Sequence, residues 1–291
     1  MSELRVIRSV RELRAALAPH RLEESTISLV PTMGFLHAGH ASLIEAARDR
    51  SDVVVMSLFV NPAQFGEGED LGSYPRDERR DLEMAAEAGA DVVFAPSADE
   101  VYPSGFATQV EVDGLTNVLC GDPGRRGAEH FRGVTTVVAK LLNMADPDLV
   151  FFGQKDAQQA IVVRRMTRDL DFRAEVVAMP TVREPDGLAL SSRNAYLEPA
   201  ERERAAALNR ALEAAGSSRA AGISGALDAA RSVLAEAEID PEYLEARYED
   251  DLEPAQSFNG RPVLVAVAAR VGKARLIDNV VINTAHPAEN T

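Results

Sequence analysis

A chain of 291 residues, 46% of them hydrophobic and 26% charged, can bury a substantial core as two domains or as one large one. Its 31 Lys and Arg stand against 46 Asp and Glu, for a formal net charge of −15. That balance argues against a general nucleic-acid binder or a protein held by charge on anionic membranes, since both need cations to meet phosphate. If the ligand is itself an anion, its site must be a local positive island. Cys120 is the one cysteine, which excludes an intramolecular disulfide and a multi-cysteine zinc site. The opening MSELRVIRSVREL lacks the apolar core of a signal peptide, and no apolar run approaches the roughly 20 residues of a membrane span. A cytoplasmic location is the resulting expectation.

Taken in chain order, short apolar runs alternate with longer amphipathic ones. Strands are predicted at Ile27 to Val30, Val53 to Val60, Val92 to Ala95, Leu149 to Phe152 and Glu175 to Ala178. Helices are predicted between them, at His40 to Arg50, Pro75 to Ala88, Gly133 to Met144 and Asp156 to Asp169. DVVVMSLFV is a continuous apolar run, as a strand buried on both faces requires. This alternation predicts an α/β fold, a Rossmann-like doubly wound parallel sheet.

From Val182 the texture changes to VREPDGLALSSRNAYLEP, a Pro-, Gly- and Ser-containing hinge or loop. Alanine-rich helices are predicted at Ala200 to Ala215 and Ser224 to Ala237, followed by strands VLVAVAARV and ARLIDNVVI separated by Gly272-Lys273. The reading is a first domain over 1–182 and a smaller C-terminal α+β domain over 183–291. The tail HPAENT is expected to fray.

PTMGFLHAGH, residues 31–40, joins a predicted strand to a predicted helix through two glycines and two imidazoles. Such a junction is expected to present unpaired backbone N–H groups to an anion, and Gly34 and Gly39 let a ligand approach the chain closely. His37 and His40 can each donate a ring N–H to phosphate oxygen and stabilise charge that develops there. A zinc pair is the competing reading. Its helical ligands usually sit four residues apart with a third nearby, whereas the spacing here is three.

A second strand–Gly–helix junction is GQKDAQQ, residues 153–159. Lys155 suits a phosphate as a point charge, Asp156 can accept from ribose hydroxyls, and Gln159 follows one helical turn after Lys155. Solvated helix-start residues would look much the same. In LSSR, residues 190–193, two hydroxyls and a guanidinium sit on a loop that could close over polyphosphate, or merely cap a turn. FVNPAQF, residues 59–65, places Asn61 and Gln64 at a strand end, suited to reading hydroxyls or to satisfying loop backbone.

His-x-Gly-His resembles the signature of the nucleotidyltransferase superfamily. Together, PTMGFLHAGH, FVNPAQF, HFRGVTTVV, FFGQKDAQQ and LALSSRNAYL closely resemble the AMP-forming pantoate–β-alanine ligases, in order and over essentially the whole chain. The resemblance implies that a pantoate carboxylate attacks the α-phosphorus of ATP, releasing pyrophosphate, and that the amine of β-alanine then displaces AMP from the adenylate. It implies catalytic roles for His37, His40, Lys155, Ser191, Ser192 and Arg193, with His37 as the catalytic acid, although charge stabilisation alone would suffice. It implies nucleotide contacts from Met33, Gly34, His37, Gly39, His40, Gly153, Lys155, Asp156, Val182, Leu190, Ser191, Ser192 and Arg193. It implies pantoate and β-alanine contacts from Gln64, Gln159 and Asn61. Mg²⁺ would arrive with ATP, the 183–291 domain would act as a lid, and the chain would form a homodimer.

Residue 190 is Leu where the family commonly has Met. GRRGAEHF, residues 124–131, departs from a common Arg-Pro-Gly-His-Phe, which leaves open whether Arg125, Arg126 or Arg132 enters the site. The rival readings are another small-molecule adenylyltransferase of the superfamily and a non-catalytic nucleotide-binding protein.

Overall fold

A computed structural model of the chain describes residues 4–66, 71–72 and 74–283. The HPAENT tail lies outside the described residues. The chain forms two compact units, Met1–Val182 and Arg183–Thr291.

The first unit is built on six parallel strands, β1 (Arg5–Ile7), β2 (Ile27–Thr32), β3 (Val53–Leu58), β4 (Val92–Phe94), β5 (Leu149–Gly153) and β6 (Glu175–Met179). Their order across the sheet is β1-β4-β3-β2-β5-β6. Helices α1 (Val10–Leu22), α2 (Ala38–Arg50), α3 (Glu78–Ala88), α4 (Ala98–Val101), α5 (Ala128–Ala145) and α6 (Ala157–Asp169) lie between the strands in sequence. Val54, Val55 and Met56 of β3 are fully buried, the burial expected of a strand inside a two-faced sheet.

β1 and α1 were not expected from sequence. β1 shows only Ile7 buried among its three residues, because it is an edge strand with one covered position and flanking arginines. Helix bounds moved where caps decide them. α3 begins after Asp77, whose side chain accepts from the Arg80 amide, not at Pro75. α5 begins at Ala128, before the predicted Gly133, and α2 at Ala38, before the predicted His40.

The second unit has helices α7 (Pro199–Ala205), α8 (Ala207–Ser217) and α9 (Gly222–Glu236) with an antiparallel sheet of β7 (Pro241–Tyr248), β8 (Val263–Val271) and β9 (Ala274–Ile282). The helix expected over 200–215 is two, separated by a tightened turn at Ala206 with φ −61° and ψ −17°. β7, PEYLEARY, was unexpected, since its charged residues mask its alternation. Ala211, Ala215, Ala226 and Ala230 are fully buried in the core with Val263, Val265 and Val267, so α8 and α9 lie close because their facing residues are small.

Candidate active site

The order in which strands are added across the sheet reverses at β2. From β2 the chain builds outward through β3 and β4, then returns to place β5 on the other side of β2, with Ser28 opposite Leu149 and Leu29 opposite Val150. The carboxyl ends of the two strands flanking such a switch point open a crevice. PTMGFLHAGH begins in the last two residues of β2 and GQKDAQQ at the last residue of β5, so the sheet order places the two motifs side by side.

After β2 the chain turns through Gly34 at φ 84° and Phe35 at φ 51°, then enters α2 with His37 as its N-cap. The expected row of unpaired amides is not what the turn contains. The Phe35 and Leu36 amides donate to the two oxygens of Asp81, at 2.8 and 2.7 Å. The Gly39 amide donates to Nδ1 of His37 at 3.1 Å, and the His37 amide to Nδ1 of His40 at 3.3 Å. This is a capping box in which imidazoles do the work usually given to a hydroxyl and a carboxylate.

An Nδ1 that accepts cannot carry a proton, so both rings are held as the tautomer with the proton on Nε2. Burial drives the His37 pKa from the ordinary 6.5 down to about 4, aided by the Lys155 ammonium. His40 falls to about 3, again through burial first and its neighbour His37 second. Two neutral imidazoles, each with one committed acceptor and one N–H donor, follow from the local geometry.

β5 runs through Gly153 into a short 3-10 turn, Gln154–Asp156, and then α6. Lys155 Nζ lies 3.7 Å from Asp156 Oδ2, and the charges of both act on His37 and His40. His37, His40, Lys155 and Asp156 are thus brought together. In QQ, Gln158 is buried and saturated: Oε1 accepts from the Cys120 amide, and Nε2 donates to the Leu115 and Val118 carbonyls. Gln159 is half-buried instead.

Gln64 ends a 3-10 turn, Pro62–Gln64, that rests on α5. A Cβ on Gly133 would lie 2.2 Å from the Ala63 carbonyl oxygen, so only glycine lets α5 approach. Asn61, expected to read a substrate hydroxyl, is 1% exposed with its amide used up. Its Nδ2 donates to Gln64 Oε1 and the Gly133 carbonyl, both at 3.1 Å, while its Oδ1 accepts from the Ala63 amide and the Tyr102 hydroxyl. In this structure both Asn61 donors and its oxygen are engaged, and the bond from Nδ2 orients Gln64. Gln64 Nε2 reaches the Met33 sulfur at 3.0 Å, which joins Met33 to this group.

The three arginines have different partners. Arg125 donates to the Leu119 carbonyl and Arg132 pairs with Glu111, whereas Arg126 Nη1 lies 3.2 Å from His130 Nε2. Nδ1 of His130 lies 2.8 Å from the Gln64 carbonyl oxygen, an acceptor only, so Nδ1 carries the proton. Asp81, Tyr102 and His130 support the site without having been singled out from sequence. His130 lies in the quoted HFRGV segment, but a lone Asp or Tyr in a helix or loop carries no sequence signal of its own.

Leu190, Ser191, Ser192 and Arg193 belong to the second unit. Ser191 Oγ caps its own turn by accepting from the Arg193 amide at 3.2 Å, and Asn194 Nδ2 donates to the Ala189 carbonyl. Leu190, Ser191, Ser192 and Arg193 are all half-buried. Val182 closes the first unit, also half-buried.

No group of three or more His, Cys, Asp or Glu among the described residues could hold a metal ion, and no helix among them is long and apolar enough to cross a membrane. The family model for pantoate-beta-alanine ligase matches residues 5–281. The pantothenate synthetase of Moorella thermoacetica is 51% identical over 283 residues, covering 96% of this chain and 99% of that protein. The crystal structure of pantothenate synthetase from Thermus thermophilus is 47% identical with a TM-score of 0.89, covering 96% of this chain and 99% of its own. That of the pantoate-beta-alanine ligase from Francisella tularensis, complexed with beta-gamma ATP and beta-alanine, is 30% identical with a TM-score of 0.79, covering 96% of this chain and 98% of its own. On sequence and fold alike, this chain belongs to the pantoate–β-alanine ligase family.

Proposed function

We propose that the chain condenses pantoate with β-alanine at the expense of ATP, through a pantoyl adenylate, and that the crevice between β2 and β5 is where the adenylate forms. The observation that carries this reading is the meeting of two neutral imidazoles with the Lys155 ammonium at the switch point of the sheet.

A carboxylate oxygen of pantoate forms a bond to the α-phosphorus while the bond to pyrophosphate breaks. The β-alanine amine then attacks the acyl carbon, AMP departs with the electron pair of the broken C–O bond, and the ammonium formed loses a proton. The first step needs no protein nucleophile and no proton from the protein. What it needs is orientation and stabilisation of charge on phosphate oxygens. His37 and His40 supply Nε2–H donors, and Lys155 supplies full charge. His37 acts as a donor of hydrogen bonds and not as a proton-losing acid, because a ring neutral down to about pH 4 has no imidazolium proton to give at neutral pH.

Gln64, held by Asn61 and His130, presents its amide to pantoate, and Gln159 joins it. Gly34, Gly39, Gly153, Asp156 and Val182 line the nucleotide, and Leu190, Ser191, Ser192 and Arg193 contribute phosphate contacts from the 183–291 unit. Mg²⁺ would enter with ATP as part of the substrate and would offset phosphate charge there. A lid role for 183–291 and a homodimer complete the proposal, tested by small-angle scattering with and without ATP and pantoate and by sedimentation.

The deciding experiment incubates the protein with ATP, Mg²⁺, pantoate and β-alanine and detects products by mass. Pantothenate and AMP in equal amounts are expected, and a bound acyl adenylate when β-alanine is omitted. Pyrophosphate release that ignores pantoate would favour a different adenylyltransferase, and none at all a non-catalytic protein.

A further inference from the structure

The loop that delivers His37 is bent in a way its residues do not favour. Gly34 and Phe35 follow one another at φ 84° and 51°, and an aromatic residue in the left-handed region is strained unless its surroundings hold it there. What holds it is α3. Asp81, in the first turn of that helix, is 1% exposed and accepts the Phe35 and Leu36 amides on its two oxygens at 2.8 and 2.7 Å. The guanidinium of its neighbour Arg80 lies over the Phe35 ring, 5.3 Å from the centroid. A Cβ on Gly34 would fall 2.9 Å from Asp81 Oδ2, so the glycine is needed for the carboxylate to dock as well as for the turn.

A buried carboxylate beside a site built for anions runs against the electrostatics of that site. Burial pushes the Asp81 carboxyl above its ordinary value, and the Leu36 and Phe35 amides oppose that rise. Such a group persists where its charge is fully used by fixed donors. Here those donors immediately precede His37, whose own amide and ring close the capping box with His40. A shift of the backbone at Phe35 and Leu36 would displace the N-cap and with it both Nε2–H groups.

We propose that Asp81 is a positioning residue for adenylation, clamping the Phe35 and Leu36 amides so that His37 and His40 keep their mutual capping and their aim. The proposal rests on the role given above to His37.

Asp81→Asn keeps the shape but offers one acceptor where two are used. Pantoate-dependent pyrophosphate release by the full chain should fall about ten- to a hundredfold, the scale of a misplacement near 1 Å. The comparison that separates positioning from mere support is a double-mutant cycle with His37→Gln. If Asp81 works through the capped imidazole pair, the double variant is within about twofold of His37→Gln alone, because that change has already broken the mutual capping that Asp81 holds in place. Losses that multiply overturn the proposal while leaving the His37 assignment intact. An undiminished rate in His37→Gln overturns the underlying reading, and the proposal with it.

Should Asp81→Asn not fold, native-state hydrogen exchange on the unaltered protein decides the matter. Slow exchange of the Phe35 and Leu36 amides supports the clamp, and exchange at open-chain rates overturns it.

Discussion

The rings of His37 and His40 lie with centroids 4.1 Å apart and planes tilted by 33°, and the backbone amide of the first donates to the ring of the second. This pairing fixes the protonation of both rings and so makes the site testable by spectroscopy. Nitrogen-15 NMR at neutral pH should find Nδ1 bare and Nε2 protonated in each. Titration midpoints near 6.5 would contradict the arrangement.

The same pairing sets a pH dependence of stability. The folded chain holds these rings at about 4 and about 3, below the ordinary 6.5, so it binds fewer protons than the unfolded chain in that interval. Stability therefore rises with pH there, and is lost as pH falls below about 6.5 through the folded values. Urea unfolding across that range should show this slope, and His40→Gln should flatten it.

Lys155 serves the phosphates and tunes His37 at once. Lys155→Ala should slow adenylation by about 2–4 kcal/mol, roughly 30- to 1,000-fold. It should also raise the His37 midpoint, since the ammonium is one of the causes that lower it. A near-normal rate would remove Lys155 from the catalytic set.

Gly133 brings α5 against the turn that carries Gln64. An alanine there places a carbon 2.2 Å from the Ala63 oxygen and 2.7 Å from the Gln64 Cα, both backbone. Gly133→Ala should cost about 1–3 kcal/mol in denaturant unfolding. It should also raise KM for pantoate more than KM for ATP, and equal changes in the two would mean that the turn does not read pantoate.

In the second unit, Arg183 meets Asp278 through both oxygens, at 2.6 and 3.0 Å, and Asp278 is 3% exposed. With the antiparallel bridge between Arg183 and Ala189, this ties the segment before LSSR to β9. Arg183→Gln strands a buried carboxylate and should cost about 3–5 kcal/mol. Replacing both residues by apolar ones should recover most of that, which calorimetry would register. A single variant as stable as the parent would mean that the carboxylate is not truly desolvated.

Much of this was legible in the chain. Val53 to Leu58 reads as a buried strand because every residue is apolar or small, and VLVAVAARV and ARLIDNVVI fell at the observed bounds of β8 and β9. β1 escaped because an edge strand buries one residue in three here, too few to make a period. The four partners of Asn61 were not legible, because the sequence shows an amide but not the groups that meet it across space. Asp81 looked like an ordinary residue of a charged helix, ERRDLEMAAEA, because nothing local marks a carboxylate whose partners lie 45 and 46 residues away.

By itself the sequence determined the alternation of apolar and amphipathic segments, and hence a parallel sheet with the histidine and lysine motifs at strand ends. Periodicity and turn chemistry are properties of neighbours along the chain, and they can be read there. Only the tertiary structure decided that β5 lies beside β2, that imidazoles take the place of free amides at the start of α2, and that Arg126 and not Arg132 turns toward His130. Those outcomes depend on which hydrogen-bonding groups are satisfied across space, and a donor carries no mark of its distant partner.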